Sequence, residues 1–157
     1  MRKGLTMMAA VAALALAGAR PTGAAPPFTQ PVVTLRDVRL SSAGLDGGTL
    51  DVLLSIYNPN KYNLDVQQMT YAVIVDSSQV GSGHTTQRVL LKAFDSSMVH
   101  LPVDFTWSGA TSAGRLLTMN GYVLYEVKGG LTVASGVGSV TIPFDQHGRF
   151  RSLQQSR

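Results

Sequence analysis

Leu50-Asp51-Val52-Leu53-Leu54-Ser55-Ile56-Tyr57 repeats its apolar residues at every second position. Leu50, Val52, Leu54 and Ile56 fall on one side, and Asp51, Leu53, Ser55 and Tyr57 on the other. Successive side chains of a strand point to opposite faces, so this period predicts a β-strand whose first set is turned to a core. The same period returns downstream. Val99, Leu101, Val103, Phe105 and Trp107 alternate with Met98, His100, Pro102, Asp104 and Thr106, as in a sheet with one face in water. On this phase Trp107 reads as a core residue rather than a stacking surface. Pro102 has no N–H and belongs where no ladder bond is needed, on an edge or at a bulge. Tyr71, Val73 and Val75, then Val123, Tyr125 and Val127, then Val140, Ile142 and Phe144 repeat the pattern, and Val32 to Leu40 reads as an opening strand.

Turn signals separate these runs. Asp46-Gly47-Gly48, Asn58-Pro59-Asn60, Asp76-Ser77-Ser78, Gly81-Ser82-Gly83, Gly129-Gly130 and Gly136-Val137-Gly138 all read as punctuation. They leave a short polar strand around Gln79-Val80 with the character of a guarded sheet edge. Short strands with regular turn signals predict an antiparallel sandwich or barrel. The one helical candidate is Ala110 to Met119, which Asn120-Gly121 can stop. The chain of 157 residues is one domain's worth. We place that domain at 32–151. Pro21, Pro26, Pro27 and Pro31 make 20–31 a Pro-rich linker, and 152–157 carries no apolar period and is expected to fray.

Residues 1–19 read as a secretory signal peptide. Arg2 and Lys3 precede an uncharged run from Leu5 to Ala17, and Ala17-Gly18-Ala19 has the small-x-small form of a cleavage site. That run is short of the roughly 20 residues a spanning helix needs. Cleavage is expected after Ala19; a cut after Ala25 is a second option, and an uncleaved anchor the alternative. The expected location is therefore periplasmic or secreted, in a bacterium. The absence of cysteine excludes disulfides and a lipid-modified cysteine, so no lipid anchor is expected and the core alone must hold the fold. Setting Arg2 and Lys3 aside leaves 11 basic against 9 acidic residues, scattered except near the C-terminus. That is no nucleic-acid footprint.

The chain carries no catalytic signature. Gly-x-Ser-x-Gly and phosphate-loop spacings are missing. His84, His100 and His147 do not pair at a metal-ligand spacing. His100 shares the polar face of its strand with Asp104, which could orient it as a general base; the plainer reading is a solvated histidine on a wet face. Glu126 is the single glutamate, and nothing brings it to a second carboxylate such as Asp51. We expect no catalytic residue, cofactor or metal, and a monomer that binds an unidentified protein or envelope component. Tyr57 and Tyr62 flank the Asn-Pro-Asn turn and are the candidate surface contacts, the alternative being lids on the end of a sandwich.

Ser55-Ile56-Tyr57-Asn58-Pro59-Asn60 is more than generic: a strand ending in an aromatic residue and Asn-Pro-Asn resembles the group 2 late embryogenesis abundant family, also called the WHy (water stress and hypersensitive response) domain. Gln79-Val80-Gly81-Ser82-Gly83, Val99 to Phe105, Tyr125 to Gly129 and Ile142 to Gly148 resemble that family's later strands, in its order. The resemblance covers roughly residues 32 to 151. It implies a fibronectin type III-like or immunoglobulin-like antiparallel β-sandwich of about seven strands with one short helix. It also implies a link to desiccation, osmotic or other stress, and brings no catalytic residues. Asx side chains bond the backbone two residues on and proline presets φ, so Asn58, Pro59 and Asn60 are read as a structural turn.

Overall fold

A computed structural model describes residues 27–136 and 138–151. The expected signal peptide (1–19), residues 20–26 of the expected linker and the expected tail (152–157) lie outside the described residues.

The elements run β1 (Val32–Ala43), β2 (Gly47–Tyr57), β3 (Leu64–Val75), β4 (Ser78–Thr85), β5 (Val89–Leu91), β6 (Ser96–Thr106), α1 (Thr111–Asn120), β7 (Tyr122–Ser135) and β8 (Gly138–Arg151). Every strand pairing is antiparallel. The expectation of an antiparallel all-β chain with one short helix is borne out. Hydrogen bonding joins the strands into one path, β1-β2-β6-β4-β3-β7-β8, with the three-residue β5 beside β3. The path curls into half a barrel. Its two ends approach one another, where the Leu35 N–H of β1 donates to Gln146 Oε1 of β8 at 3.2 Å.

The alternating residues build the core. Val52, Leu54 and Ile56 of β2, Leu101 and Val103 of β6, and Val127, Leu131 and Val133 of β7 are fully buried. Tyr71, Val73 and Val75 are buried on β3. Pro102 sits opposite Asp51 of β2, and its carbonyl receives the Tyr71 hydroxyl instead of a β2 N–H. The N and O of a strand residue point the same way, so the missing donor falls on the side away from β2. There β6 meets β4 only at Gly81–Phe105 and Ser82–Asp104, and Pro102 leaves no ladder bond unmade.

Three expectations change. First, Gly47-Gly48, Gly81-Ser82-Gly83 and Gly129-Gly130 are not turns. They lie inside β2, β4 and β7, so that β4 and β7 run on as strands of 8 and 14 residues. The reason is close approach of other groups. Gly83 lies opposite Tyr71, Gly129 opposite Phe144 and Gly148 opposite Tyr125, and in each case a Cβ would stand within 2.6 Å of the facing ring. Glycine in a strand interior often marks such an approach. Second, Gln79 and Val80 belong to a strand that lies between β3 and β6 in the path, although β4 meets β6 only further on, at Gly81 and Ser82, so that these two residues keep an open side. Third, the expected linker is tied to the domain before Val32: Phe28 packs against the core, Pro31 is buried and Thr29 is hydrogen-bonded to Asn60. At the C-terminal end of β8, Phe150 and Arg151 lie opposite Val123 and Tyr122.

Candidate functional site

The two ends of the half-barrel differ. At one end β2 stops at Tyr57 and the chain turns through Asn58-Pro59-Asn60. Asn58 is fully buried and Asn60 nearly so. The Asn58 Nδ2 donates to the carbonyls of Tyr62 (2.9 Å), Leu91 (3.1 Å) and Lys92 (3.2 Å). Its Oδ1 accepts from the Asn60 backbone N–H (3.0 Å) and from Asn60 Nδ2 (2.9 Å). Asn60 reaches the other way: its Nδ2 donates to Thr29 O at 2.7 Å, and its Oδ1 accepts from the Thr29 N–H at 2.8 Å. The two amides thus fasten the entry segment, the β2 end and the β5–β6 connection to one another. Both face backbone rather than solvent. Tyr57 is 39 % exposed, whereas Tyr62 is half-buried and packs against the core. Among the described residues no ring contact joins the two.

The histidines are dispersed. His100 Nδ1 lies 2.9 Å from Asp51 Oδ2, across the β2–β6 pair. The expected neighbour Asp104 instead accepts from Thr49 Oγ1 at 2.7 Å. His100 and Asp51 stand on an open sheet face. On the outer face of β7 and β8, Glu126, Asp145 and His147 bring one ligand atom each to within 4.8 Å of one another. Lys128 Nζ occupies the same place, 2.7 Å from Glu126 Oε1 and 3.8 Å from Asp145 Oδ2. Its hydrogen bond holds the Glu126 carboxyl below the usual carboxylate value, and the glutamate in turn raises the Lys128 ammonium. One ammonium thus already faces both carboxylates of this cluster.

The opposite end of the half-barrel holds an apolar hollow of about 240 Å³. Leu50 marks this end of β2, seven residues and about 23 Å from Tyr57 at the strand rise. Val38, Val73, Val75, Val80 and Val123 line it, with Leu50 and Phe105 beside them. Helix α1 lies over the hollow and presents Ala113, Gly114 and Leu117 to it. None of its residues is buried, and no side chain caps its N-terminus.

Trp107 stands at the mouth, which corrects the expectation that it is core. It is 46 % exposed, and so is the neighbouring lining residue Leu40 at 49 %. Strand β6 ends at Thr106, so the alternation that placed Trp107 inside does not reach it. Its Nε1–H donates to Gly44 O at 2.9 Å, its backbone N–H donates to Asp46 O at 3.1 Å, and its ring meets Phe105 edge to face at 5.2 Å. The rings of Tyr125 and Phe150 complete the far wall. Burial, and then the Asp37 charge, raise the Tyr125 hydroxyl above its ordinary value. Alternation alone does not find this site: Leu50, Val73 and Val123 share the period of the filled core, whereas Trp107 and the α1 residues lie outside it.

Comparison with known proteins agrees with the fold. The chain is 24% identical over 123 residues to the late embryogenesis abundant protein Lea14-A of Gossypium hirsutum, covering 78% of this chain and 82% of that one. It resembles the solution structure of AT1g01470 from Arabidopsis thaliana at a TM-score of 0.69 and 22% identity, covering 85% of this chain and 87% of that one. It resembles the solution structure of a putative late embryogenesis abundant protein, At2g46140.1, at a TM-score of 0.59 and 22% identity, covering 80% and 74%. The family described as "Late embryogenesis abundant protein" matches residues 53–148, well over half of the sequence, and the chain belongs to that family.

Proposed function

We propose that this chain is an exported, non-enzymatic protective protein that acts through its surface during desiccation, osmotic or other stress. The observation that carries this reading is the family match over 53–148 in a chain whose polar clusters all have structural partners. Asn58 and Asn60 hold backbone, Glu126 holds Lys128, and His100 lies open to solvent beside Asp51. Arg2-Lys3, the run from Leu5 to Ala17 and Ala17-Gly18-Ala19 support export, and the lack of cysteine supports a free protein in the periplasm or outside the cell. The WHy subtype belongs to the same proposal, supported by the Asn-Pro-Asn corner. So does the fibronectin type III-like sandwich. What supports the sandwich reading is that the path is thinnest at the two residue pairs between β4 and β6, with β1-β2-β6 on one side and β4-β3-β7-β8 on the other of that join.

The test is to dry and freeze a labile enzyme with the purified protein or with an equal mass of an inert protein. Recovery of enzyme activity above the inert control is the expected result. Equal recovery across the concentration range sinks the protective reading.

A further inference from the structure

We propose that the hollow beneath α1 is a binding site for a small lipophilic molecule and takes a single aliphatic chain. This goes beyond the protective reading and does not rest on it. The wall decides the chemistry. Among the described residues no charged side chain lines the hollow, and only Tyr125 and Trp107 bring a polar side-chain atom to it. The Trp107 N–H is already taken by Gly44 O. A sugar, a nucleotide or a cation would leave its polar groups or charge without partners there, which is costly.

Size excludes the larger apolar occupants. A peptide helix is about 10–12 Å across with its side chains. An added strand needs unpaired backbone groups, whereas this wall is made of side chains. The hollow measures about 240 Å³. That exceeds the roughly 150 Å³ at which an apolar cavity stays dry and binds benzene. It fits one alkyl chain of medium length and not the two chains of a bilayer lipid. The cover is suited to entry: α1 buries no residue and presents Ala113 and Gly114, so little packing is lost when it moves. Exposed Trp107 and Leu40 extend the apolar wall to the surface at the mouth.

The experiment titrates the full chain with n-alkanols from butanol to tetradecanol. The readouts are the fluorescence of Trp107, the single tryptophan, and the thermal midpoint. Affinity should rise roughly fourfold per added methylene and level off within the series once the hollow is full. Ala113→Phe, which fills the hollow from a helix without buried residues, should weaken octanol at least tenfold and leave the ligand-free midpoint unchanged or higher. If that variant does not fold, Leu117→Trp replaces it. No saturable binding, affinity that climbs without levelling, or equal octanol affinity in the filled variant would each overturn the site. Phosphatidylcholine vesicles supply the other source of alkyl chains. Co-sedimentation with them in the absence of alkanol binding would also overturn it. Failure of enzyme protection in drying would leave these titrations untouched, so the two readings fail separately.

Discussion

The hydroxyl of Tyr71 donates to the carbonyl oxygen of Pro102 at 2.8 Å. Tyr71 lies on β3 and Pro102 on β6, and β4 separates the two strands in the sheet. The Tyr71 ring passes over Gly83 of β4 to reach it, and the bond ties β3 to β6 where only two ladder pairs join β4 to β6. Tyr71→Phe removes the donor and leaves the Pro102 carbonyl without it. We expect a loss of about 0.5–1.5 kcal/mol, read as a lower urea midpoint with an unchanged slope. An unaltered midpoint would show that water replaces the tyrosine at no cost.

The same residue gives a pH dependence. Burial chiefly, and the nearby Asp104 charge second, raise the Tyr71 hydroxyl above 10.0. Tyr125 is raised by burial and then by Asp37. For a group whose folded value is raised, the unfolded chain loses its proton first. Stability is then full below about pH 10 and falls as pH rises through the folded value. Urea midpoints between pH 9 and 12 should drop less steeply in Tyr71→Phe than in the parent. Parallel curves would mean that other groups carry the alkaline loss.

Asn58 sets the other end of the molecule. Asn58→Ala takes one donor from the carbonyls of Tyr62, Leu91 and Lys92 and one acceptor from Asn60. Orphaned buried groups cost about 1–3 kcal/mol each, so a loss of about 3 kcal/mol or more is expected. Asn58→Asp keeps the acceptor but turns a carboxylate toward three carbonyls. Its acid should be raised by burial and by those dipoles, so the variant should be closer to the parent at pH 4 than at pH 7. Chemical denaturation at the two values measures the difference; an aspartate variant equally stable at both would contradict the burial of this side chain.

How far this was legible follows from what alternation can carry. Leu54, Ile56, Leu101, Val103 and Val127 were assigned to the core by period alone, and all are fully buried. Asn-Pro-Asn was legible as a turn because the amide chemistry is local; the reach to Leu91 and Thr29 was not, since it depends on pairings 33 and 31 residues away. Glycine was misread for a related reason. Its turn propensity is a local property, whereas the ring above Gly83 comes from another strand. The hollow is hidden by the same logic. A valine facing a gap and a valine facing a leucine look alike in sequence.

Phe94 is the bulky residue with a left-handed backbone, at φ 55°, and its side chain is 63 % exposed. An L-residue in that region costs about 1–2 kcal/mol. The conformation is held by the backbone, because the Phe94 N–H donates to Asn60 O at 3.2 Å. Phe94→Asn tolerates this φ and keeps that bond. A gain of about 0.5–1 kcal/mol is expected, seen as a higher thermal midpoint. A loss instead would assign the exposed ring a packing role.

Two glycines should respond to alanine with opposite signs. At Gly129 a Cβ would stand 2.1 Å from Thr70 O and 2.5 Å from Phe144 Cζ. The first neighbour is backbone of a paired strand and cannot move without breaking the β3–β7 ladder. Gly129→Ala should therefore cost about 2 kcal/mol or more, the range of overpacked cores. At Gly114, inside α1, nothing lies within 4 Å of the added atom. There alanine removes freedom from the unfolded chain without strain and should gain about 0.5–1 kcal/mol. Because α1 buries no residue, part of that gain belongs to local opening and should show first as slower amide exchange within the helix. Slower exchange in α1 with an unchanged global midpoint would mean that the helix opens independently of the sheet. A faster exchange would contradict the open space found around Gly114.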